Sequence, residues 1–122
     1  MSRQALVCED DPAIRSLLRT LLRREGFDVD VAENGRVGIE RIERHCYELI
    51  ILDLMMPDLD GYAVVERLKE LNPPTLQRIV VVTAATDAVR GDFPEPICTL
   101  LAKPFDINAI TALVRECTHE CE

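Results

Sequence analysis

The chain has 122 residues, a length that points to one domain, residues 1–122, able to bury about two-thirds of the surface its unfolded form exposes. Asp and Glu outnumber Lys and Arg by 22 to 14, and the formal charge of −8 argues against nucleic acid and anionic lipid as direct partners. No stretch approaches the roughly 20 apolar residues of a membrane span, and MSRQALVCED carries too short an apolar run for a signal peptide, so a cytoplasmic location is expected.

Short apolar runs alternate with segments of helical period, the pattern of an α/β sandwich. ALVC (5–8) predicts a first strand, followed by the acidic pair Glu9 and Asp10. Asp11 is a helix cap and Pro12 suits a first turn. Ile14, Leu17, Leu18, Leu21 and Leu22 then recur at the spacing of a core-facing stripe. FDVDVA (27–32) alternates like a half-buried second strand, and a helix over about 34–45 starts from Asn34 as its cap. LIIL (49–52) is a continuous run suited to a buried central strand, with Asp53 directly behind it. A third helix over 61–71 carries Val64, Val65, Leu68 and Leu71 before Pro73 and Pro74 stop it.

RIVVVT (78–83) and ICTLLA (97–102) complete five strands. Between them TDAVRGDFPEP supports only a helical turn or two before Gly91, Pro94 and Pro96 interrupt it, so the fourth helix is expected to be short or irregular. The last helix begins near Asp106 and carries Ile107, Ile110, Val114 and Cys117. The cysteines at 8, 46, 98, 117 and 121 show no CxxC pair or zinc-like spacing and read as reduced thiols.

Strands joined by helices run parallel with right-handed crossovers, and such doubly wound sheets bind ligands at the carboxyl ends of their strands. With strand order 2-1-3-4-5, Glu9, Asp10, Asp53, Thr83 and Lys103 converge on one crevice. Three carboxylates there repel one another, so a proton or a cation must sit among them near neutral pH. Hard oxygen ligands favour Mg²⁺, with Mn²⁺ as a second candidate. Lys103 and Thr83 suit the outer oxygens of a phosphoryl group, and Asp53 suits a nucleophile that forms an acyl phosphate.

Four fragments in order, LVCEDDP, IILDLMMPDLDGY, VVVTAA and LAKPF, resemble the receiver domain of two-component response regulators along nearly the whole chain. The resemblance implies a flavodoxin-like (βα)5 fold with Asp53 as phosphoacceptor. Asp10 would be a direct Mg²⁺ ligand, Glu9 would act through water, and the main-chain carbonyl of Met55 would supply a further oxygen. It also implies that Thr83 and the backbone amide of Ala84 bind the phosphoryl group, that Lys103 pairs with it, and that the Lys103–Pro104 peptide is cis. The donor would be a sensor histidine kinase or a histidine phosphotransfer protein, and the domain would catalyse only its own phosphorylation and dephosphorylation. The downstream effector is not legible.

Two departures stand out. Leu100 occupies the switch position where the family usually carries an aromatic residue, and is expected in the core; the segment between Thr83 and Lys103 is also short. They leave open an interaction module that signals independently of phosphorylation. A phosphatase of the haloacid dehalogenase type fits less well, because its second aspartate falls where Met55 stands.

Overall fold

The computed structural model describes residues 3–56, 60–84 and 97–121. In chain order these form β1 (Arg3–Cys8), α1 (Pro12–Arg24), β2 (Phe27–Ala32), α2 (Gly35–Arg44), β3 (Leu49–Asp53), α3 (Gly61–Leu71), a 3₁₀ helix (Pro73–Arg78), β4 (Ile79–Ala84), β5 (Thr99–Lys103) and α4 (Ile107–Cys117). The strands make one parallel sheet in the order β2-β1-β3-β4-β5, as expected. The interrupted fourth connection falls within 85–96, outside the described residues.

Each helix starts where a side chain can satisfy its first free N–H groups. Asp11 Oδ1 accepts from Ala13 N at 2.8 Å and Ile14 N at 3.2 Å, Asn34 caps through Val37 N, Asp60 through Ala63 N, and Asp106 through Ala109 N. Pro73 and Pro74 end α3 but do not end helical geometry, because proline fits the first turn of the 3₁₀ segment they open.

Side chains of a strand alternate between faces, so the sheet feeds two cores. Leu6, Cys8, Ile50, Leu52, Ile79 and Val81 pack with Val64, Val65 and Leu68 of α3 and Ile39 and Ile42 of α2. Ala5, Val7, Leu49, Ile51, Val80 and Val82 pack with Leu18, Leu21 and Leu22 of α1 and Ile110, Leu113 and Val114 of α4. β3 is buried along its whole length, as its unbroken apolar run requires. Leu17, Leu71 and Ile107, though at stripe spacing, are exposed, since they lie at the margins or ends of their helices.

Two expectations are corrected. Leu100 is 45% exposed rather than buried. β5 is the edge strand, and its alternate residue Leu101 takes the face packed against α4, which turns Leu100 the other way. The cysteines are not all free thiols: Cys46 pairs with Cys121 and Cys98 with Cys117, leaving buried Cys8 free. Partners 75 residues apart meet only because the tail after α4 folds back to the amino end of β3, where His119 N donates to Glu48 O at 3.1 Å.

Candidate functional site

The crevice forms at the carboxyl ends of β1, β3, β4 and β5. Register explains the convergence: Asp53 is level with Val82 on β4, and on β5 Ala102 is level with Thr83 and Lys103 with Ala84. Glu9 and Asp10 follow β1 directly, where Glu9 N donates to Ala32 O at 3.0 Å. All of the expected side chains therefore reach one end of the sheet.

Carboxylate oxygens of Glu9, Asp10 and Asp53 lie within 4.8 Å of one another. Glu9 and Asp53 are buried, whereas Asp10 is exposed at the mouth. Lys103 Nζ sits between the buried pair, 3.4 Å from Glu9 Oε1 and 3.5 Å from Asp53 Oδ2. Among the described residues, Glu9 Oε1 has no hydrogen-bond partner besides this ion pair. Asp53 Oδ1 accepts from Met55 N at 3.2 Å, which holds the carboxylate over the turn, while the Met55 side chain projects into solvent. Thr83 is buried, and its hydroxyl donates to Ala84 O at 3.4 Å.

The charges are unevenly matched. Burial, then a hydrogen bond with Asp53, pushes the Glu9 carboxyl up to about 7, against the smaller opposing pull of the Asp11 N–H and Lys103. Burial alone would lower Lys103, but the attraction of Asp53 and Glu9 wins and raises it, so it stays an ammonium. A proton on Glu9 thus relieves the repulsion that the sequence implied.

Two further residues position the site, and of these only Arg15 was not singled out in the sequence. Arg15 Nη1 of α1 donates to Glu9 O at 3.0 Å and reaches Asp10 O at 3.5 Å, fixing the acidic loop from below. Gly61 N donates to Leu54 O at 3.0 Å, and a Cβ at Gly61 would lie 2.7 Å from both Asp53 O and Leu54 Cα. The Gly of the MPDLDG motif is a legible letter, but the backbone it lies against appears only in the fold; nothing in the sequence marked Arg15. The Lys103–Pro104 peptide is cis, as the resemblance implied.

The family profile described as "response regulator receiver domain" matches residues 5–115, and the chain belongs to that family. It is a receiver domain of two-component signal transduction. It is 34% identical over 111 residues to the transcriptional activator protein PfeR of Pseudomonas aeruginosa, covering 91% of this chain and 36% of PfeR. It is 31% identical over 115 residues to the transcriptional regulatory protein SrrA of Staphylococcus aureus, covering 94% of this chain and 47% of SrrA. The chain thus spans between about a third and a half of these curated relatives.

Among solved structures, the response regulator TrrA of Thermotoga maritima, in complex with Mg²⁺ and BeF, superposes with a TM-score of 0.82 at 27% identity, covering 93% of this chain and 96% of TrrA. The receiver domain of a sensor histidine kinase from Pseudomonas aeruginosa, with a magnesium ion in its active-site cleft, gives a TM-score of 0.81 at 26% identity, covering 95% and 98%. Among the described residues, no helix is long and apolar enough to cross a membrane.

Proposed function

We propose that Asp53 accepts a phosphoryl group from a phosphohistidine on a sensor histidine kinase or histidine phosphotransfer protein, and that the acyl phosphate resets the crevice for a downstream partner. The observation that carries this reading is a buried carboxylate at a strand end, 3.5 Å from a lysine and within 4.8 Å of two further carboxylates. In-line attack by an Asp53 oxygen on phosphorus breaks the N–P bond, and the imidazole leaves. Lys103, already between Asp53 and Glu9, pairs with the transferred oxygens. The Thr83 hydroxyl exchanges its bond to Ala84 O for one to the phosphoryl group, joined by the Ala84 amide, and this movement is the conformational signal.

The donor set fits a hard divalent cation, because three carboxylates offer oxygens within 4.8 Å of one another. Asp10, Asp53 and the Met55 carbonyl would hold Mg²⁺ directly and Glu9 through water, with Mn²⁺ as a substitute. Bound Mg²⁺ supplies charge neutralisation as the phosphoryl group moves. In this reading residues 1–122 act as one receiver domain in the cytoplasm, catalysing only their own phosphorylation and dephosphorylation; the relatives' names make a transcriptional effector the first candidate for output.

The test is intact mass after incubation with acetyl phosphate, with and without Mg²⁺, for wild type and Asp53→Asn. One added phosphoryl group that needs both Mg²⁺ and Asp53 is expected. A folded, Mg²⁺-binding protein that gains none would instead make this a phosphorylation-independent interaction module, the alternative that exposed, non-aromatic Leu100 favours.

A further inference from the structure

The two cysteine pairs differ in exposure, each joining one half-buried sulfur to a partner that is exposed in one pair and buried in the other. Cys117, the last residue of α4, is fully buried in the core, and half-buried Cys98 packs against the same cluster. Cys46 is exposed at the surface, and Cys121 is only partly covered. Cys121 also lines an open cleft of about 660 Å³ together with Arg3, Glu25, Glu48, Arg115 and Thr118, the side from which a small thiol would approach.

Arg78 distinguishes the exposed pair further. One arm of its guanidinium, Nη1, lies 3.5 Å from Cys46 Sγ, and the other, Nη2, donates to Glu120 O at 3.0 Å. A guanidinium beside a cysteine sulfur stabilises the thiolate, and a lower-pKa thiolate is the better leaving group in exchange. The same side chain therefore grips the tail and favours breaking the bond that ties it down.

We infer that Cys46–Cys121 is a thiol-exchangeable latch on the segment after α4, assisted by Arg78, whereas Cys98–Cys117 is a lasting brace between the residue before β5 and the end of α4. The thiolate of an external dithiol attacks Cys121 Sγ through the cleft, the S–S bond breaks, and Cys46 leaves as a thiolate beside Arg78. The dithiol's second thiolate then displaces Cys121 and closes a disulfide within the reagent. The reagent is oxidised by two electrons, and the two protons it gives up are taken by Cys46 and Cys121. Opening removes the covalent tie of residues 118–121 beside the amino end of β3, while Asp53 lies at the other end of that strand, four residues and roughly 13 Å from Leu49. The latch is thus a redox input separate from the phosphoryl site.

The test uses the full oxidised chain under native conditions. It is exposed to increasing dithiothreitol, alkylated with iodoacetamide and mapped by mass, with amide exchange recorded for 118–121. Cys46 and Cys121 should become alkylated at reductant levels that leave Cys98–Cys117 intact, and exchange in 118–121 should rise at least threefold. Arg78→Ala should slow reduction of Cys46–Cys121 at least threefold, with Arg78→Lys, which keeps the charge, falling between the two. Simultaneous reduction of both pairs, earlier reduction of Cys98–Cys117, an unchanged rate in folded Arg78→Ala, or no change in tail exchange would each overturn the inference. So would protein held under air oxidation that, unfolded without reductant, alkylates at all five cysteines rather than at Cys8 alone.

Discussion

Replacing Gly61 by alanine tests whether the crevice depends on one backbone-to-backbone contact. The added Cβ would stand 2.7 Å from Asp53 O and from Leu54 Cα, and restoring the 3.4 Å at which ordinary contact begins requires a separation of about 0.7 Å more. Neither atom belongs to a flexible side chain, so α3 must retreat or the end of β3 must shift. Overpacking of this kind costs about 1–3 kcal/mol, which for a chain of this length lowers the melting temperature by about 4–12 °C. The end of β3 also carries Asp53 and the Met55 N–H that orients it at 3.2 Å. A displacement of several tenths of an ångström there should slow acetyl-phosphate labelling on the order of tenfold. Thermal unfolding by circular dichroism and timed intact-mass measurements report the two effects separately. A Gly61→Ala protein that melts and labels as the wild type does would refute the argument.

Other expectations follow from single side chains. Glu9, pushed up to about 7 in the fold, favours the native state at low pH. That contribution is lost as pH rises from about 4.5 to about 7, by roughly 3 kcal/mol in metal-free protein. Urea unfolding in chelator should show the decline, and Glu9→Gln should flatten it. Divalent-cation binding must expel the same proton, so Mg²⁺ affinity, read by calorimetry, should rise about tenfold between about pH 6 and pH 8; a flat profile would contradict the placement of Glu9. Asp11→Ala removes both side-chain bonds at the start of α1 and should cost about 1 kcal/mol in chemical unfolding. Gly38→Ala would put a Cβ 2.8 Å from Cys8 Sγ, so Cys8→Ala in that background should recover part of the lost stability; strictly additive effects in the double-mutant cycle would dismiss the contact.

Much of this protein is local in origin and so is visible in its sequence. The switch between period 2 and period 3.6 marks strands and helices because each reflects the side-chain spacing of one element. The caps Asp11 and Asn34, and the start of the last helix near Asp106, are legible because a cap bonds within three residues of itself. Asp53 stands out because a charge behind an unbroken apolar strand must sit at its mouth, and parallel topology then gathers Glu9, Asp10, Thr83 and Lys103 around it.

Tertiary structure alone decided what depends on distant segments meeting. Cys46 finds Cys121 across 75 residues because the tail returns to the amino end of β3, a path that no spacing rule encodes. Leu100 turns outward because β5 is an edge strand whose inner face is already taken by Leu101 and α4. Arg15 reaches the acidic loop only once α1 has packed against the sheet, and the Glu9 proton answers to burial and to Asp53 together. Periodicity is a property of one element, whereas disulfide choice, exposure and proton affinity belong to the space between elements, which exists only after they have packed.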